Sequence, residues 1–322
     1  MKWFVGVDVS KAKFDVALLR EGGKFRSKVF SNDLAGFALL LQWVGEHVPG
    51  ELAQVHVCME ATGSYHEALA CFLHDASVCV SVVNPLLVKR FAELKRLRNK
   101  TDSADSRCLA MFCESEKPLR WQAPSPALRT LQALVARLDT LMALRQGEAN
   151  RLGVAHESVT ESIRKVMDQL DAAIADVKGQ IRRTVDDDPD LSRRARLLDS
   201  IPGIGERTIP QLLAYIGDPE RFTSAKALIA YASLTPRVRQ SGTSLNQNRG
   251  THPMGHQALK RLLYFPAMVA GQHNPLVAAF WKRLSAQNKP GLVIVVACMH
   301  KLLRIVYGVL RSGKPFDATL AA

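Results

Sequence analysis

Four carboxylates are the side chains of this sequence best suited to do chemistry, because each stands where one structural element gives way to the next. Asp8 comes near the end of the first apolar run, and Glu60 directly follows a later one. Asp102 and Asp105 are three residues apart at the expected start of a helix, so they share one face of it. A carboxylate at the end of an apolar strand is costly unless a cation compensates its charge.

Carboxylates that converge on one centre repel one another, and a divalent cation removes that repulsion. Hard oxygen ligands suit Mg²⁺ or Mn²⁺, which also accept phosphate oxygens, and two such ions can flank a scissile phosphate. Ordinary alternatives exist, since Asp102 and Asp105 could answer a helix dipole and Glu60 could cap a turn. Asp8 has no comparable explanation. The set therefore predicts metal-dependent chemistry on a nucleic-acid backbone.

The N-terminal part of the chain combines strand and helix patterns that would position these acids. Three apolar or alternating runs, at 2–9, 14–20 and 24–30, predict an antiparallel meander. The patterns after it predict a helix at 34–46, a strand at 54–59, a helix at 65–75, a strand at 78–83 and a basic helix at 87–98. Strands that alternate with helices after a meander indicate a mixed sheet with helices on its faces.

The middle of the chain reads as helical. Residues 121–126 contain two prolines and are typical of a linker, and apolar residues recur at helical spacing beyond them. A second stripe, in steps of three and four, consists of Val159, Ile163, Val166, Leu170, Ile174, Val177 and Ile181. Such a heptad seam needs a partner helix. We expect a coiled-coil dimer contact, with packing inside the chain as the alternative.

The basic excess of the chain lies in its C-terminal part. The formal net charge is +13, and residues 191–322 alone carry 18 Lys and Arg against 5 Asp and Glu. A charge this one-sided indicates a polyanionic partner. Near its start, Gly203 and Gly205 precede Arg207 in a turn that resembles a helix-hairpin-helix, where backbone N–H groups can approach a phosphate. An ordinary glycine-rich turn between helices is the alternative.

A polar stretch, predicted as a loop, places Ser241 and Ser244 beside Arg237, Arg239 and the glycine Gly242. A serine hydroxyl can attack a phosphodiester and hold the strand as a phosphoserine, while arginines bind the non-bridging oxygens. No histidine lies close in sequence to act as a base. By residue type alone, a serine in such a loop is an ordinary turn residue.

Length and composition describe an ordinary globular chain. Its 322 residues, 47% hydrophobic and 23% charged, suggest two or three domains. No run approaches the roughly 18 apolar residues of a membrane helix, and a carboxylate interrupts the first apolar run, unlike a signal peptide. The six cysteines include no C-x-x-C pair, which predicts reduced, mostly buried thiols. We expect a cytoplasmic, nucleoid-associated protein with no membrane partner.

The motifs taken together resemble the bridge-RNA-guided insertion-sequence transposases, the DEDD family that also includes the Piv DNA invertase. The resemblance covers essentially the whole chain and is carried by VGVDVSKAKFDVALL, CMEATGSY, SVVNPLLVKRF, LRNKTDSADSRCLA, the glycine turn at 200–208, the stretch 231–244, GHQALKRLLYFPAM and residues 302–315. Two departures are Met254, where the family pattern has a lysine, and Pro253 beside it.

The resemblance implies an α/β ribonuclease-H-like (RuvC-like) domain at 1–120, with Mg²⁺ or Mn²⁺ held by Asp8, Glu60, Asp102 and Asp105. It also implies a helical coiled-coil dimerisation region at 121–190 and a mostly α-helical transposase domain, with the helix-hairpin-helix-like motif, at 191–322. In that family the serine of the Ser-Gly motif is the covalent nucleophile. The motif falls on Ser241, and Ser244 is the lesser candidate.

The expected function is that of an RNA-guided, site-specific DNA recombinase or transposase of an insertion sequence. A structured bridge RNA would select double-stranded donor and target DNA, and the protein would act as a dimer and, in the synaptic complex, as a tetramer, with serine and carboxylates meeting between subunits. The expected nucleic-acid contacts are Lys100, Arg237, Arg239, Gly203, Gly205, Arg207, Lys260 and Arg261. The alternatives are a metal-dependent junction nuclease in which water attacks, and a non-catalytic nucleic-acid-binding protein.

Overall fold

The structure is a computed structural model that describes residues 3–61, 65–96, 101–241, 245–251 and 255–320. The chain divides into two compact units, Met1–Ala123 and Pro124–Ala322. The boundary falls inside the proline-containing segment that the sequence predicts as a linker. The finer division of the second unit at residue 190 stays a prediction.

The first unit is built on a five-stranded sheet in the order β3-β2-β1-β4-β5. Its strands are β1 (Trp3–Val9), β2 (Lys13–Leu19), β3 (Phe25–Ser31), β4 (Val55–Glu60) and β5 (Cys79–Val83). The first three pair antiparallel, β4 runs parallel to β1, and β5 runs parallel to β4. The predicted meander and mixed sheet are confirmed.

In the described part of the first unit, four α-helices accompany the sheet: α1 (Leu34–His47), α2 (Glu67–Asp75), α3 (Pro85–Leu94) and α4 (Asp102–Glu116). Polar caps fix where they begin, since Asp33 accepts a hydrogen bond from the Gly36 N–H and Asn84 accepts one from the Leu86 N–H. Each of these bonds satisfies an N–H group that the helix itself leaves without a partner.

Strand alternation divides the first unit into two cores. Val5 and Val7 of β1 belong to the larger cluster, which also contains residues of α1 and α2. On the opposite face, Cys58 of β4 packs with residues of α3 and α4. Asp8 has the same parity as Gly6, so it belongs to the face that α4 covers. The candidate functional residue Asp8 therefore lies on this second face of the sheet.

The second unit begins with two long helices, α5 (Pro126–Leu152) and α6 (Glu157–Asp187). The seam predicted on α6 has two different environments. Its C-terminal half is buried in a core shared with α5, whereas Val159 and Val166 in its N-terminal half are 46% and 40% exposed. Arg145 on α5 and Asp171 on α6 form an ion pair at 3.0 Å between the helices. Packing within the chain therefore accounts for the C-terminal half of the seam.

The rest of the second unit is mostly helical, as predicted. Its helices are α7 (Pro189–Asp199), α8 (Ile209–Ile216), α9 (Ala225–Tyr231), α10 (Gln257–Leu262), α11 (Tyr264–His273), α12 (Pro275–Ala286) and α13 (Gly291–Ser312). The loop predicted around Ser241 is wrong in part, because β6 (Pro236–Ser241) and β7 (Leu245–Thr251) form an antiparallel pair there. Polar strands of this kind lack the apolar alternation on which the strand predictions relied.

One described helix, α13, is long and apolar enough to cross a membrane by length and composition, although the sequence contains no apolar run of that length. Half of its most apolar window is buried inside the protein. Core helices pass the same test, and Leu302, Leu303 and Val306 of α13 are fully buried. Its apolar character is therefore explained by packing in the second unit.

Candidate active site

Three acidic side chains share one face of the sheet near the ends of β1 and β4. In the antiparallel register of β1 with β2, Asp8 lies directly opposite Asp15. In the parallel register of β1 with β4, Val7 lies opposite Met59, so Asp8 and Glu60 are the next pair along. Residues directly opposite one another in neighbouring strands point to the same side of a sheet. Strand register alone therefore gathers Asp8, Asp15 and Glu60.

Gly6 explains how α4 comes close enough to this face to add its own acids. A Cβ atom at Gly6 would lie 2.0 Å from the carbonyl oxygen of Ser106 and 2.3 Å from the backbone nitrogen of Ala110. Both atoms belong to the backbone of α4, which cannot move aside as a flexible side chain can. Only a residue without Cβ allows this approach, which brings the first turn of α4 towards the end of β1.

We expect Gly6→Ala to destabilise the first unit by about 3 kcal/mol, since overpacking costs roughly 1–3 kcal/mol even where side chains can adjust. Gly45→Ala is the matched control, because no atom lies within 4 Å of a Cβ at that helical position. That control should gain about 0.5–1 kcal/mol from helix propensity. Urea unfolding of both variants measures the difference, and equal stabilities would contradict the packing argument.

The start of α4 matches the sequence prediction. The Thr101 side chain accepts a hydrogen bond from the Ala104 N–H, and α4 begins at Asp102. Asp102 and Asp105 both lie in the first turn, where the partial positive charge of the helix end favours acids. The helix dipole therefore explains in part why acids occupy the first turn of α4. It does not explain the acids of β1, β2 and β4 on the facing side of the sheet.

Lys13, which the sequence analysis did not single out, ties the two groups of acids together. Its Nζ donates to Asp15 Oδ2 at 3.2 Å and to Asp102 Oδ2 at 3.0 Å. The Asp15 side chain is almost buried, whereas that of Asp102 is 60% exposed. The sequence contains a signal for this pairing, because a tight β1–β2 connection brings an acid of the second strand opposite Asp8. The register that decides this pairing depends on the turn.

The pKa of Asp8 is raised by its surroundings. Burial, followed by the negative charges of Asp105, Asp102 and Asp15, raises the pKa of Asp8 from 3.8 to about 6. The positive charge of Lys13 opposes that rise. The same field reaches Cys108, whose pKa is raised to about 11 by burial and by Asp105 and Glu60. A carboxyl group with so high a pKa favours a cation beside it.

Asp8, Glu60 and Asp105 line one open cleft of about 1090 Å³, and Asp102 lies at the neighbouring ion pair with Lys13. Among the described residues, no three Asp, Glu, His or Cys side chains are close enough to enclose a metal ion. The predicted four-carboxylate site is therefore not preformed. The donor set nevertheless fits a hard divalent cation, because it consists of carboxylate oxygens and includes one carboxyl, Asp8, whose pKa is raised to about 6.

Comparison with known proteins agrees with this arrangement. A model of the DEDD transposases of the IS110 type, described as transposase, matches residues 5–155, and a second, described as transposase IS116/IS110/IS902 family, matches residues 195–282. The pilin gene-inverting protein of Moraxella bovis is 34% identical over 322 aligned positions, and the match covers 98% of this chain and 98% of that protein. The chain belongs to the IS110 family of transposases. It is a DNA transposase or recombinase.

Two further relatives extend the likeness. The pilin gene-inverting protein of Moraxella lacunata is 34% identical with the same coverage. The mini-circle putative transposase for IS117 of Streptomyces coelicolor is 23% identical over 404 aligned positions, and the match covers 98% of this chain and 95% of that protein. Both N- and C-terminal halves of this IS110-family transposase are therefore represented in full-length relatives.

In the second unit of the transposase, the β6–β7 ribbon is anchored at its base. The His256 N–H donates to the carbonyl of Tyr231 at 2.6 Å, and Gln257 Nε2 donates to Ser233 Oγ at 3.0 Å. Gly255, at φ +136°, lies so close to Ser233 that a Cβ would meet its Oγ at 2.5 Å. The chain entering β6 is thereby tied to the chain leaving β7, and Ser241 is the last residue of β6, opposite Leu245.

The nucleic-acid contacts predicted for the transposase have varied surroundings. Gly205, Arg207 and Arg261 are exposed, whereas Lys260 is half-buried and donates to the Thr251 hydroxyl. A Cβ at Gly203 would meet Cα of Ala270 at 2.7 Å, so packing against α11 already requires this glycine. The predictions that lie outside the described residues or side chains are Lys100, Arg237, Arg239, Ser241, Ser244, Pro253 and Met254.

A polar network near the base of the ribbon was not predicted. The Tyr215 hydroxyl donates to Asp139, and its pKa is raised by burial and by that carboxylate. The centroid of the His256 ring lies 4.7 Å from that of Tyr215 and 5.4 Å from that of Tyr231, and burial lowers the pKa of His256. His256 is therefore neutral at pH 7. The network links α5, α8 and α10 beneath the ribbon.

Proposed function

We propose that this transposase is an RNA-guided recombinase that cuts and rejoins DNA through a phosphoserine at Ser241, with Mg²⁺ or Mn²⁺ at Asp8, Glu60, Asp102 and Asp105. The observation that carries the proposal is the convergence of acids from β1, β4 and α4 on one cleft, where Asp8 is strained as an anion. The relatives named pilin gene-inverting protein support site-specific inversion or transposition as the reaction.

The first unit is proposed to have the ribonuclease-H-like fold in its RuvC-like form. Support comes from the strand order β3-β2-β1-β4-β5, in which β1 lies at the centre and only β2 is antiparallel to both its neighbours. The placement of acids near the end of the central strand, at the end of the adjacent parallel strand and on the helix covering them also supports it. This arrangement puts the chemistry at the carboxyl ends of parallel strands, where open α/β sheets usually bind ligands.

The covalent step is a transesterification. The Ser241 hydroxyl oxygen forms a bond to phosphorus, and the bond from phosphorus to one deoxyribose oxygen breaks. The hydroxyl proton passes to solvent and the departing oxygen takes up a proton, so no oxidant or nucleotide cofactor is needed. Reversal with a different strand end rejoins the DNA and restores the serine. Arg237 and Arg239, on the same strand as Ser241, are proposed to hold the non-bridging oxygens.

Asp8, Glu60 and Asp105 are proposed to hold the divalent cation, and Asp102 to join them when it leaves Lys13. The cation would supply Lewis-acid stabilisation of charge on the phosphate and the leaving oxygen. The protein contributes the fixed positions: β1 and β4 set Asp8 and Glu60 side by side, and the Gly6 contact sets the distance of α4. Lys13 keeps Asp102 and Asp15 neutralised until that exchange.

The proposed partners are donor and target DNA, a structured bridge RNA and further copies of the same chain. The basic excess of residues 191–322 supports polyanion binding. The exposed N-terminal half of the α6 seam, with Val159 and Val166, supports a helical contact between two copies, as a dimer and within a tetramer. A cytoplasmic, nucleoid-associated location follows from these partners.

Two measurements test RNA guidance and strand exchange. RNA that co-purifies with the expressed transposase should, when sequenced, match DNA flanking its gene, and adding it with Mg²⁺ should permit recombination between two plasmids that carry the matching sites. Recombination at full rate after ribonuclease treatment would overturn RNA guidance. Magnesium-dependent cleavage that yields only free ends would favour the hydrolytic junction nuclease instead, in which the carboxylates activate water.

A further inference from the structure

The cleft that holds the carboxylates has a second wall of the opposite charge. Besides Asp8, Glu60 and Asp105, its lining includes Lys89, Arg96 and Arg107, together with Phe25 and several small or apolar residues of α3 and α4. One further acid, Glu93, lies on the same wall. An acidic floor beside a basic wall is the charge pattern that a phosphate chain needs in order to approach carboxylates.

Phe25 and Arg107 form one feature of this wall. Phe25 of β3 is opposite Leu19, which places it on the same sheet face as Asp15 and Asp8. The guanidinium carbon of Arg107 lies 5.8 Å from the centroid of the Phe25 ring. Phe25 is partly exposed and Arg107 is exposed, so both flat groups are accessible from the cleft. Aromatic rings and guanidinium planes are the surfaces on which unpaired bases stack.

Lys89 and Arg96 form the other feature. Lys89 lies on α3, and Arg96 follows its end with a left-handed backbone, at φ 56°. Both side chains are exposed, and neither is in an ion pair with any carboxylate that the structure describes. Cations without such partners interact with strand phosphates at little cost, since no existing bond must be broken.

We propose that this wall binds an unpaired DNA strand beside the scissile phosphate, with one base stacked on Phe25 and Arg107 and flanking phosphates on Lys89 and Arg96. The inference rests on the proposed function, because it takes the carboxylates to mark the scissile phosphate. A cleft of about 1090 Å³ holds a few nucleotides, since pockets of roughly 300–1000 Å³ hold single drug-sized ligands. A base can stack on a protein ring only where it has left the duplex.

Photocrosslinking tests where the strand lies. The full-length transposase is irradiated with a single-stranded DNA oligonucleotide that carries 5-iododeoxyuridine, in Mg²⁺ and in chelator, and the linked peptides are identified by mass spectrometry. The expected result is a link to the β3 peptide that contains Phe25. Links confined to peptides of residues 124–322 would overturn the proposal, as would an equal Phe25 link to fully paired DNA. The basic second unit provides the internal reference in each sample.

Variants of the wall supply the quantitative test. Phe25→Leu keeps an apolar side chain but removes the ring, and should lower the β3 link and single-strand affinity at least about 5-fold. Lys89→Ala with Arg96→Ala should reduce the salt slope of single-strand binding by about 1.4. The matched control is Arg26→Ala with Lys28→Ala, two β3 cations on the opposite sheet face. Losses in the control as large as those in the wall variants would overturn the proposal.

These readouts separate the inference from the proposed function. Binding and crosslinking in chelator require neither the divalent cation nor Ser241, so a failure to detect phosphoserine leaves them intact. A DNA strand displaced from the wall by an RNA of the same sequence at much lower concentration would show that the wall serves RNA, and would overturn the assignment to DNA. A circular dichroism melt of each variant confirms that it is folded.

Discussion

Replacement of Asp8 by Asn is expected to abolish strand cleavage while making the metal-free transposase more stable at neutral pH. Asp8 has a pKa raised from 3.8 to about 6, first by burial and then by its acidic neighbours, so above pH 6 the folded protein carries an unfavourable charge there. That shift corresponds to about 3 kcal/mol, and the partial exposure of Asp8 reduces it to about 1–2 kcal/mol. Thermal melts in chelator measure the gain.

The stability that Asp8→Asn adds to the metal-free protein depends on pH. A carboxyl whose pKa is raised by folding stabilises the protein below its unfolded pKa, near 3.8, and loses that contribution as pH rises through about 6. The advantage of Asp8→Asn should therefore be large at pH 7 and small at pH 4. Mg²⁺ should reverse it, because only the wild type gains a ligand-binding contribution.

Asp15→Asn is the control, since it removes the partner of Lys13 rather than an uncompensated charge. It should not stabilise the metal-free protein at pH 7. An Asp8→Asn variant that melts below the wild type at pH 7 in chelator, or one whose advantage is the same at both pH values, would show that burial and the neighbouring carboxylates do not raise the pKa of Asp8. Loss of cleavage in that variant is measured separately on supercoiled DNA.

Ser241→Ala is expected to eliminate the covalent adduct between protein and DNA and to lower strand exchange by about 10⁴-fold or more, as loss of a nucleophile does in other enzymes. The reason is that alanine has no oxygen to form the phosphoester. The adduct is measured as DNA-linked protein that survives denaturation. RNA binding and melting temperature should remain those of the wild type, because Ser241 is the last residue of a strand at the end of the ribbon.

Ser244→Ala is the matched control, because it makes the same change three residues away in the same polar segment. It should retain adduct formation. Adducts that persist in Ser241→Ala and vanish in Ser244→Ala would move the nucleophile to Ser244. Adducts that are absent from the wild type, with cleavage intact, would leave water as the attacking group.

The acids at Asp8 and Glu60 could be predicted because each lies at or next to the end of an apolar strand, where a charge has few ordinary explanations. The first turn of α4 could be predicted because its cap and acids are adjacent in sequence. Lys13 and Asp15 could not, since their importance depends on a pairing register that two neighbouring strands decide together. The same holds for Gly6, whose small size matters only once α4 is packed against it.

The seam on α6 shows a different limit of sequence patterns. Apolar residues spaced by three and four predict that one face of a helix is covered, but they do not identify what covers it. Ile174 and Ile181 are buried inside their own unit, whereas Val166 is 40% exposed. The spacing of apolar residues does not change between the exposed N-terminal half and the buried C-terminal half of α6. The β6–β7 ribbon was missed for a related reason, because its strands are polar and no sheet face of the core requires them to alternate.

The bridge that Lys13 makes between Asp15 and Asp102 has a consequence for how the protein responds to its surroundings. A tethered ammonium group competes with dissolved cations at a fixed effective concentration, whatever the dilution of the protein. Recruitment of Asp102 to the proposed site is then an exchange of one cation for another, whereas Asp8, Glu60 and Asp105 can take up the divalent cation directly. The fraction of molecules in which Asp102 has left Lys13 rises with the free Mg²⁺ concentration. An arriving phosphate lowers the Mg²⁺ concentration at which half have exchanged, because it adds ligands to the cation. The fourth carboxylate would thus join the site as DNA binds rather than in response to magnesium alone.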